Sequence, residues 1–209
     1  MKKSIRIKVI GFLVILFGLF LLVHSSPKEQ TSLNLSTKNE ENTYRTMSSK
    51  LDFQQLLRVI SREYQLTEEE AKKQLGYTEQ MVQSAIHNGA IYRIFSQNIT
   101  VNRVYQPNLL LYCETSESGN FRAIKSILSV QLKSADQGLE KHFTGDVFAY
   151  LEDPNRIFYL INGDFYDQKT ATLRNGLTLR QGEGVTERYT PGPLTNHFYY
   201  SYIEDWFTF

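Results

Sequence analysis

IKSILSVQL, Ile124 to Leu132, is the stretch on which the fold turns. Ile124, Leu128, Val130 and Leu132 alternate with Lys125, Ser129 and Gln131, and a period of two belongs to a strand with one face in a core. The same period recurs outward from it. Ile99, Val101 and Tyr105 alternate with Thr100 and Asn102; Phe143, Val147 and Leu151 share a face; RIFYLIN runs from Arg156 to Asn162. Turn-formers separate these runs: Gln106-Pro107, Ser118-Gly119-Asn120, Asp136-Gln137-Gly138, Asp153-Pro154-Asn155 and Asn175-Gly176. Short turns between regular strands predict an antiparallel sheet of six to eight strands, a meander or sandwich-like arrangement over residues 90–209.

On the N-terminal side of Ala90 the period is 3.6. Phe53, Leu56, Leu57, Ile60 and Tyr64 form one helical stripe, with Ser49 as its expected cap. Thr67 with Glu70 reads as a capping box for a helix from Glu68 to Leu75, stopped at Gly76. Thr78 caps a third helix, Glu79 to His87, carrying Met81, Val82, Ala85 and Ile86. Tyr77 and Val82 are spaced as a hydrophobic staple, and Asn88-Gly89 ends the helix. The predicted class is therefore α+β: a short N-terminal helical subdomain over 48–89, followed by an antiparallel sheet.

Ahead of the helices the chain is not domain-like. Met1 to Lys8 is basic, and VIGFLVILFGLFLLV, Val9 to Val23, is fifteen residues of apolar sequence. That is the pattern of a signal peptide, with Val23 and Ser25 as the small residues before a cut between Ser25 and Ser26. A retained membrane anchor is the alternative, since Arg6 and Lys8 can snorkel and lengthen the span. Both put the rest of the chain outside the cytoplasm, as a secreted domain or as an extracellular domain tethered to the membrane. Residues 26–47 are rich in Ser, Thr, Asn, Glu and Lys and read as a disordered polar linker.

The formal charge of +1 comes from 23 bases and 22 acids among 209 residues. Lys2, Lys3, Arg6 and Lys8 belong to the leader; without these four, 19 bases face 22 acids, a balance of −3. That sign argues against nucleic acid as a partner. The helix-turn-helix outline of Thr67 to Gly89 does not change this, because Glu79 to His87 carries no Lys or Arg to contact phosphate. A single cysteine, Cys113, excludes an intramolecular disulfide and suits a Gram-positive export route better than a small secreted animal domain. In LLLYC it reads as a buried small hydrophobe.

Catalytic signatures are missing. His24, His87, His142 and His197 offer no helical metal pair, and no His-Glu-x-x-His, G-x-S-x-G or P-loop occurs. No motif demands a metal or cofactor, and the reading leans away from an enzyme. Asn162, Asp164 and Asp167 have oxygens that suit calcium, and the two acids could serve as a carboxylate pair. Asn-Gly-Asp after a strand nevertheless reads first as a turn.

The aromatic content stands out: thirteen Tyr, thirteen Phe and one Trp, with HFYYSYIEDWFTF at the C-terminus. In an extended strand Phe198, Tyr200, Tyr202 and Trp206 face one way and Tyr199, Ile203, Phe207 and Phe209 the other. Glu204 and Asp205 lie on opposite faces, and a carboxylate resists full burial unless it is paired. Tyr200, Tyr202, Glu204 and Trp206 are therefore the candidate binding residues, on a partly open aromatic row.

YCETSESGNFRAI (Tyr112 to Ile124), HFTGDVFAYL (His142 to Leu151), NGDFY (Asn162 to Tyr166) and NHFYYSY (Asn196 to Tyr202) resemble small uncharacterised exported proteins of Bacillus-type Gram-positive bacteria. The resemblance covers about Leu66 to Phe209. It implies export and carries no activity. The functional expectation is a non-catalytic envelope protein that binds a partner protein or cell-wall glycan through an aromatic β face. An accessory anchored subunit of a membrane secretion or conjugation machine is the alternative, and a hydrolase with a carboxylate pair formed across space comes third.

Overall fold

A computed structural model describes residues 44–167, 176–181, 183–190 and 196–209. The expected leader, the expected cut between Ser25 and Ser26 and the expected linker up to residue 43 lie outside the described residues. The described part runs β1 (Arg45–Met47), α1 (Phe53–Tyr64), α2 (Glu68–Gln74), α3 (Glu79–His87), β2 (Ile91–Asn98), β3 (Asn108–Ser118), β4 (Phe121–Lys133), β5 (Ala135–Asp136), β6 (Leu139–Asp153), β7 (Arg156–Asp167), β8 (Gly176–Gln181), β9 (Gly184–Tyr189) and β10 (His197–Thr208).

These elements correct the expected class. The protein is largely β, with two antiparallel sheets rather than one. The first is ordered β1-β2-β3-β4 and the second β10-β7-β6-β9-β8, with β5 paired to β6. The helices are not a subdomain. At 12, 7 and 9 residues they are too short to be stable alone. Their apolar stripe is instead completed by the first sheet: Phe53, Leu56, Leu57, Ile60, Ala71, Leu75 and Val82 cluster with Tyr92, Leu110, Tyr112 and Leu128. The chain also enters the sheet before it turns helical, since Arg45, Thr46 and Met47 pair with Gln97, Ser96 and Phe95. The three helices are thus a cover laid on one face of a sandwich. Of the apolar residues that α3 carries, Met81 and Ile86 are exposed, and α3 docks through Val82.

The main core fills the space between the sheets. Phe95, Leu109, Leu111, Cys113, Ile127 and Val130 of the first sheet meet Phe143, Val147, Ile157, Ile161, Phe165 and Phe207 of the second. β4 does not keep a strict alternation. The β3–β4 register slips between Tyr112 and Cys113, passing from Ser129 to Ile127 on β4. This bulge turns Leu128 to the helices while Ile124, Val130 and Leu132 face the other sheet. Ile99, Val101 and Tyr105 are buried in a loop after β2 rather than in a strand.

Local chemistry explains most boundaries. Asp52, not Ser49, caps α1: its carboxylate accepts from the Gln55 N–H at 2.7 Å, and the Gln55 side chain accepts from the Asp52 N–H at 2.9 Å. Thr67/Glu70 and Thr78 cap α2 and α3 as the sequence predicts. Gln137 and Gly138, with φ of 46° and 85°, supply the two left-handed positions of a tight β5–β6 hairpin. Asn162-Gly163-Asp164 is not a turn. It continues β7 because Gly163 lies opposite Gly145, where a Cβ on Gly163 would come within 2.1 Å of the Thr144 carbonyl oxygen.

Candidate binding surface

β10 is one edge of the second sheet and, among the described residues, pairs only with β7. A bulge between His197 and Tyr199 turns Phe198 inward onto Tyr105, at 5.7 Å between ring centroids, so Phe198 leaves the row that alternation assigned to it. Beyond the bulge the alternation is regular. Ser201 and Phe207 are buried against the core, and Tyr200, Tyr202, Glu204 and Trp206 face outward.

Register sets their neighbours. Tyr202 stands beside Asn162 of β7 and then Asp146 of β6; Glu204 beside Leu160 and Phe148; Trp206 beside Phe158 and Tyr150. Trp206 is 43% exposed, Tyr200 51%, Tyr202 55% and Tyr150 39%. Phe158 is half-buried beneath Trp206, with ring centroids 5.5 Å apart. The outer face of β10-β7-β6 is therefore a broad plane of rings open to water.

The polar tips on this plane are held in place. The Trp206 indole N–H donates to Glu152 Oε2 at 2.9 Å, and Arg156 pairs with the same carboxylate at 2.8 Å. The Tyr200 hydroxyl donates to Asn162 Oδ1 at 3.0 Å, and the Tyr202 hydroxyl to Glu204 Oε1 at 2.5 Å. That last bond holds the Tyr202 phenol above its ordinary pKa, because ionisation would set two negative charges together. Arg188 forks onto Asp146 at 2.8 and 3.0 Å, and His197 pairs with Asp164 at 2.8 Å.

The inward carboxylate of β10 has a structural task. Asp205 Oδ2 accepts from the Tyr159 hydroxyl and the Gln97 amide, each at 3.1 Å, with Arg45 3.6 Å away. The Arg45 guanidinium also donates to the Trp206 carbonyl at 2.8 Å. Burial, then the Asp205 charge, pushes the Tyr159 phenol far up, so it stays protonated as a donor. This cluster ties the edge strand to β1 and β2 of the other sheet and fixes the backbone that presents Tyr202, Glu204 and Trp206.

The other candidates separate. Asp164 and Asp167 lie on opposite faces of β7, paired with His197 and Lys141, so Asn162, Asp164 and Asp167 do not converge. Among the described residues no group of three or more His, Cys, Asp and Glu could hold a metal ion. Cys113 is buried, and burial raises its thiol pKa far above the ordinary range. Tyr150, Glu152 and Phe158 complete the plane and were missed in the sequence. Their signal was the alternation in VFAYLED and RIFYLIN, but only the register shows that they adjoin Trp206. The chain matches no protein-family model, no curated protein and no solved structure, so the resemblance to exported Bacillus-type proteins rests on the quoted segments alone.

Proposed function

We propose that this is an exported, non-catalytic envelope protein whose β10-β7-β6 plane binds cell-wall glycan. One observation carries the reading: four exposed rings, Tyr150, Tyr200, Tyr202 and Trp206, share a sheet face, and the polar atoms of the last three are already fixed by neighbours. Alternate residues on a strand are about 7 Å apart, so Tyr200, Tyr202 and Trp206 form a line of platforms rather than one pocket. Ring faces stack on the C–H faces of sugars, and Glu204, Glu152 and Asn162 accept from hydroxyls at the ring edges. Tethered rings lose little freedom on binding, which favours affinity from a shallow surface.

Co-sedimentation of the protein with purified wall glycan tests this. Trp206→Ala and Tyr202→Ala should each release most of the protein into the supernatant while leaving it folded. Unchanged sedimentation of both variants would sink the proposal. Loss of a crosslinked envelope protein, with glycan binding absent from the start, would transfer the same plane to a protein partner, for which Tyr and Trp are common anchors. The basic N-terminus and its fifteen apolar residues also support an anchored accessory subunit of a secretion or conjugation machine. That reading requires the leader to be kept, and the intact mass of the native protein separates it from a chain beginning at Ser26.

A further inference from the structure

The edge of β10 carries a second feature, made of backbone rather than rings, and it stands whatever the aromatic plane binds. β7 pairs with β10 from Tyr199 to Thr208 in one unbroken register, and the Phe209 N–H extends it by donating to the Asn155 carbonyl at 2.8 Å. Along an antiparallel pair, residues bonded to the neighbouring strand alternate with residues that are not. Phe209 bonds towards β7, and so by alternation do Phe207, Asp205, Ile203 and Ser201. The N–H and C=O of Tyr200, Tyr202, Glu204 and Trp206 therefore point away from β7, along the open edge.

Those of Trp206 are already taken. Its N–H donates to Asp205 Oδ1 at 2.7 Å, and its carbonyl accepts from Arg45 at 2.8 Å. Among the described residues no bond meets the edge-facing backbone groups of Tyr200, Tyr202 and Glu204. At its other end the edge stops at the bulge between His197 and Tyr199. The open stretch thus runs from Tyr200 to Glu204, and Tyr202 is its middle. An edge with unmet donors and acceptors is a template for another strand.

These bounds select which strand fits. Two copies of β10, antiparallel about a two-fold axis at Tyr202, set Tyr202 against Tyr202 and Tyr200 against Glu204. Each such pair exchanges two bonds, about six in all. The blocked Trp206 then faces the bulged Phe198 of the second copy, so neither costs a bond. Moving the axis towards Glu204 brings Trp206 opposite an open residue, and moving it towards Tyr200 does the same with the bulge. The side chains agree with the centred register. The two Tyr202 rings form an aromatic cross-strand pair. The two Glu204 carboxylates stand about 14 Å apart along the strands, beyond a Debye length of about 8 Å.

We propose that a second copy of this chain pairs with the Tyr200–Glu204 edge, β10 against β10 about a two-fold axis at Tyr202, joining the two outer planes into one continuous sheet face. About five residues a side fall short of the roughly 800 Å² per partner of a stable interface, so the dimer is weak and forms as concentration rises.

Disulfide trapping in the full-length protein tests the register. Cys113 is buried, and two residues bonded across the axis have Cα atoms about 5.5 Å apart, within disulfide reach. Under mild oxidation Tyr202→Cys should form a covalent dimer about tenfold faster than Glu204→Cys, whose copies lie too far apart. A mixture of Tyr200→Cys and Glu204→Cys should yield a mixed dimer faster than either variant alone. Adding Tyr202→Pro to both members of that mixture should slow trapping severalfold, because proline deletes an edge N–H and leaves the bonds to β7 intact. Trapping at Glu204 as fast as at Tyr202, or at neither, overturns the proposal. So does mixed trapping that ignores Tyr202→Pro, since the contact would then run through side chains rather than strands. Tyr202 is 55% exposed, so Tyr202→Cys keeps the fold, and the first comparison decides the matter even if the proline variants do not fold.

Discussion

Each of the two sheets has an outer face, and the two have opposite fates. The outer face of the first sheet presents Tyr92, Leu110, Tyr112 and Leu128, with Glu114 cross-strand from Tyr92 and ion-paired to Lys125, and three helices cover it. The outer face of the second presents Tyr150, Tyr200, Tyr202 and Trp206 interleaved with Glu152, Asn162, Asp146 and Glu204, and no described element lies over it. Aromatic content is high on both, so ring count does not decide burial. What differs is the company of the rings. The several carboxylates of the second face make its desolvation expensive, whereas the first face carries Glu114 already paired with Lys125. The open face is thus wet by composition, and its rings are available without unfolding anything.

This contrast predicts different costs for similar truncations. Leu56→Ala empties a fully buried site between helix and sheet and should destabilise by about 3 kcal/mol. Trp206→Ala, a larger deletion, should cost less than about 2 kcal/mol, because nearly half of the ring is already in water. Urea titrations of both variants check the order. A dry, iodide-shielded emission from Trp206, the only tryptophan, would mean that the second face is covered too and would break the comparison.

Ion pairs should follow the same divide. Arg93 forks onto Glu117 at 2.8 and 2.7 Å with both side chains at most 10% exposed. Arg188 forks onto Asp146 with similar geometry on the open face. Glu117→Gln should destabilise by about 3 kcal/mol through the stranded Arg93 charge, and Asp146→Asn by under about 1 kcal/mol. The acid limb gives a second reading. Hydrogen bonds from Arg93 lead the causes that hold the Glu117 carboxyl down at about 2. A depressed folded pKa means that its stabilisation is complete above the unfolded value of roughly 4.3 and fades as pH falls towards 2. Glu117→Gln should flatten the stability profile in that window; a profile that keeps the wild-type slope would show that the pair does not matter.

The sequence was most legible where structure is local. The caps of α2 and α3 involve residues three apart and were readable; Asp52 and Gln55 formed the same signature and were passed over for Ser49. The outward direction of Tyr200, Tyr202, Glu204 and Trp206 follows from alternation within one strand. Non-local facts were not readable. That the strands divide into two sheets depends on which edges meet, and that Asn162-Gly163-Asp164 stays extended depends on Gly145, eighteen positions earlier by number. Phe198 and Leu128 changed face through bulges that no alternation encodes.

A modest, local effect belongs to the cover itself. Thr67 Oγ1 accepts the Glu70 N–H at 3.2 Å, while Glu70 Oε2 accepts the Thr67 N–H at 2.8 Å, so each side chain satisfies a donor that the start of α2 would leave open. Thr67→Ala removes one acceptor at an exposed site, and the expected loss is about 1 kcal/mol. The Thr67 N–H bond leads the causes that hold the Glu70 carboxyl below its ordinary pKa, so this cap weakens as pH falls below the usual carboxylate range. Hydrogen exchange locates the effect better than global melting does. If the helices are a cover docked on a sandwich, Thr67→Ala should speed exchange of the amides of α2 and leave β7 and β10 protected, because their hydrogen bonds lie in the other sheet. Equal acceleration in β7 would mean that cover and sandwich open as one unit. The helices would then be part of the sandwich's own cooperative core, and the difference between its two outer faces would be one of composition alone.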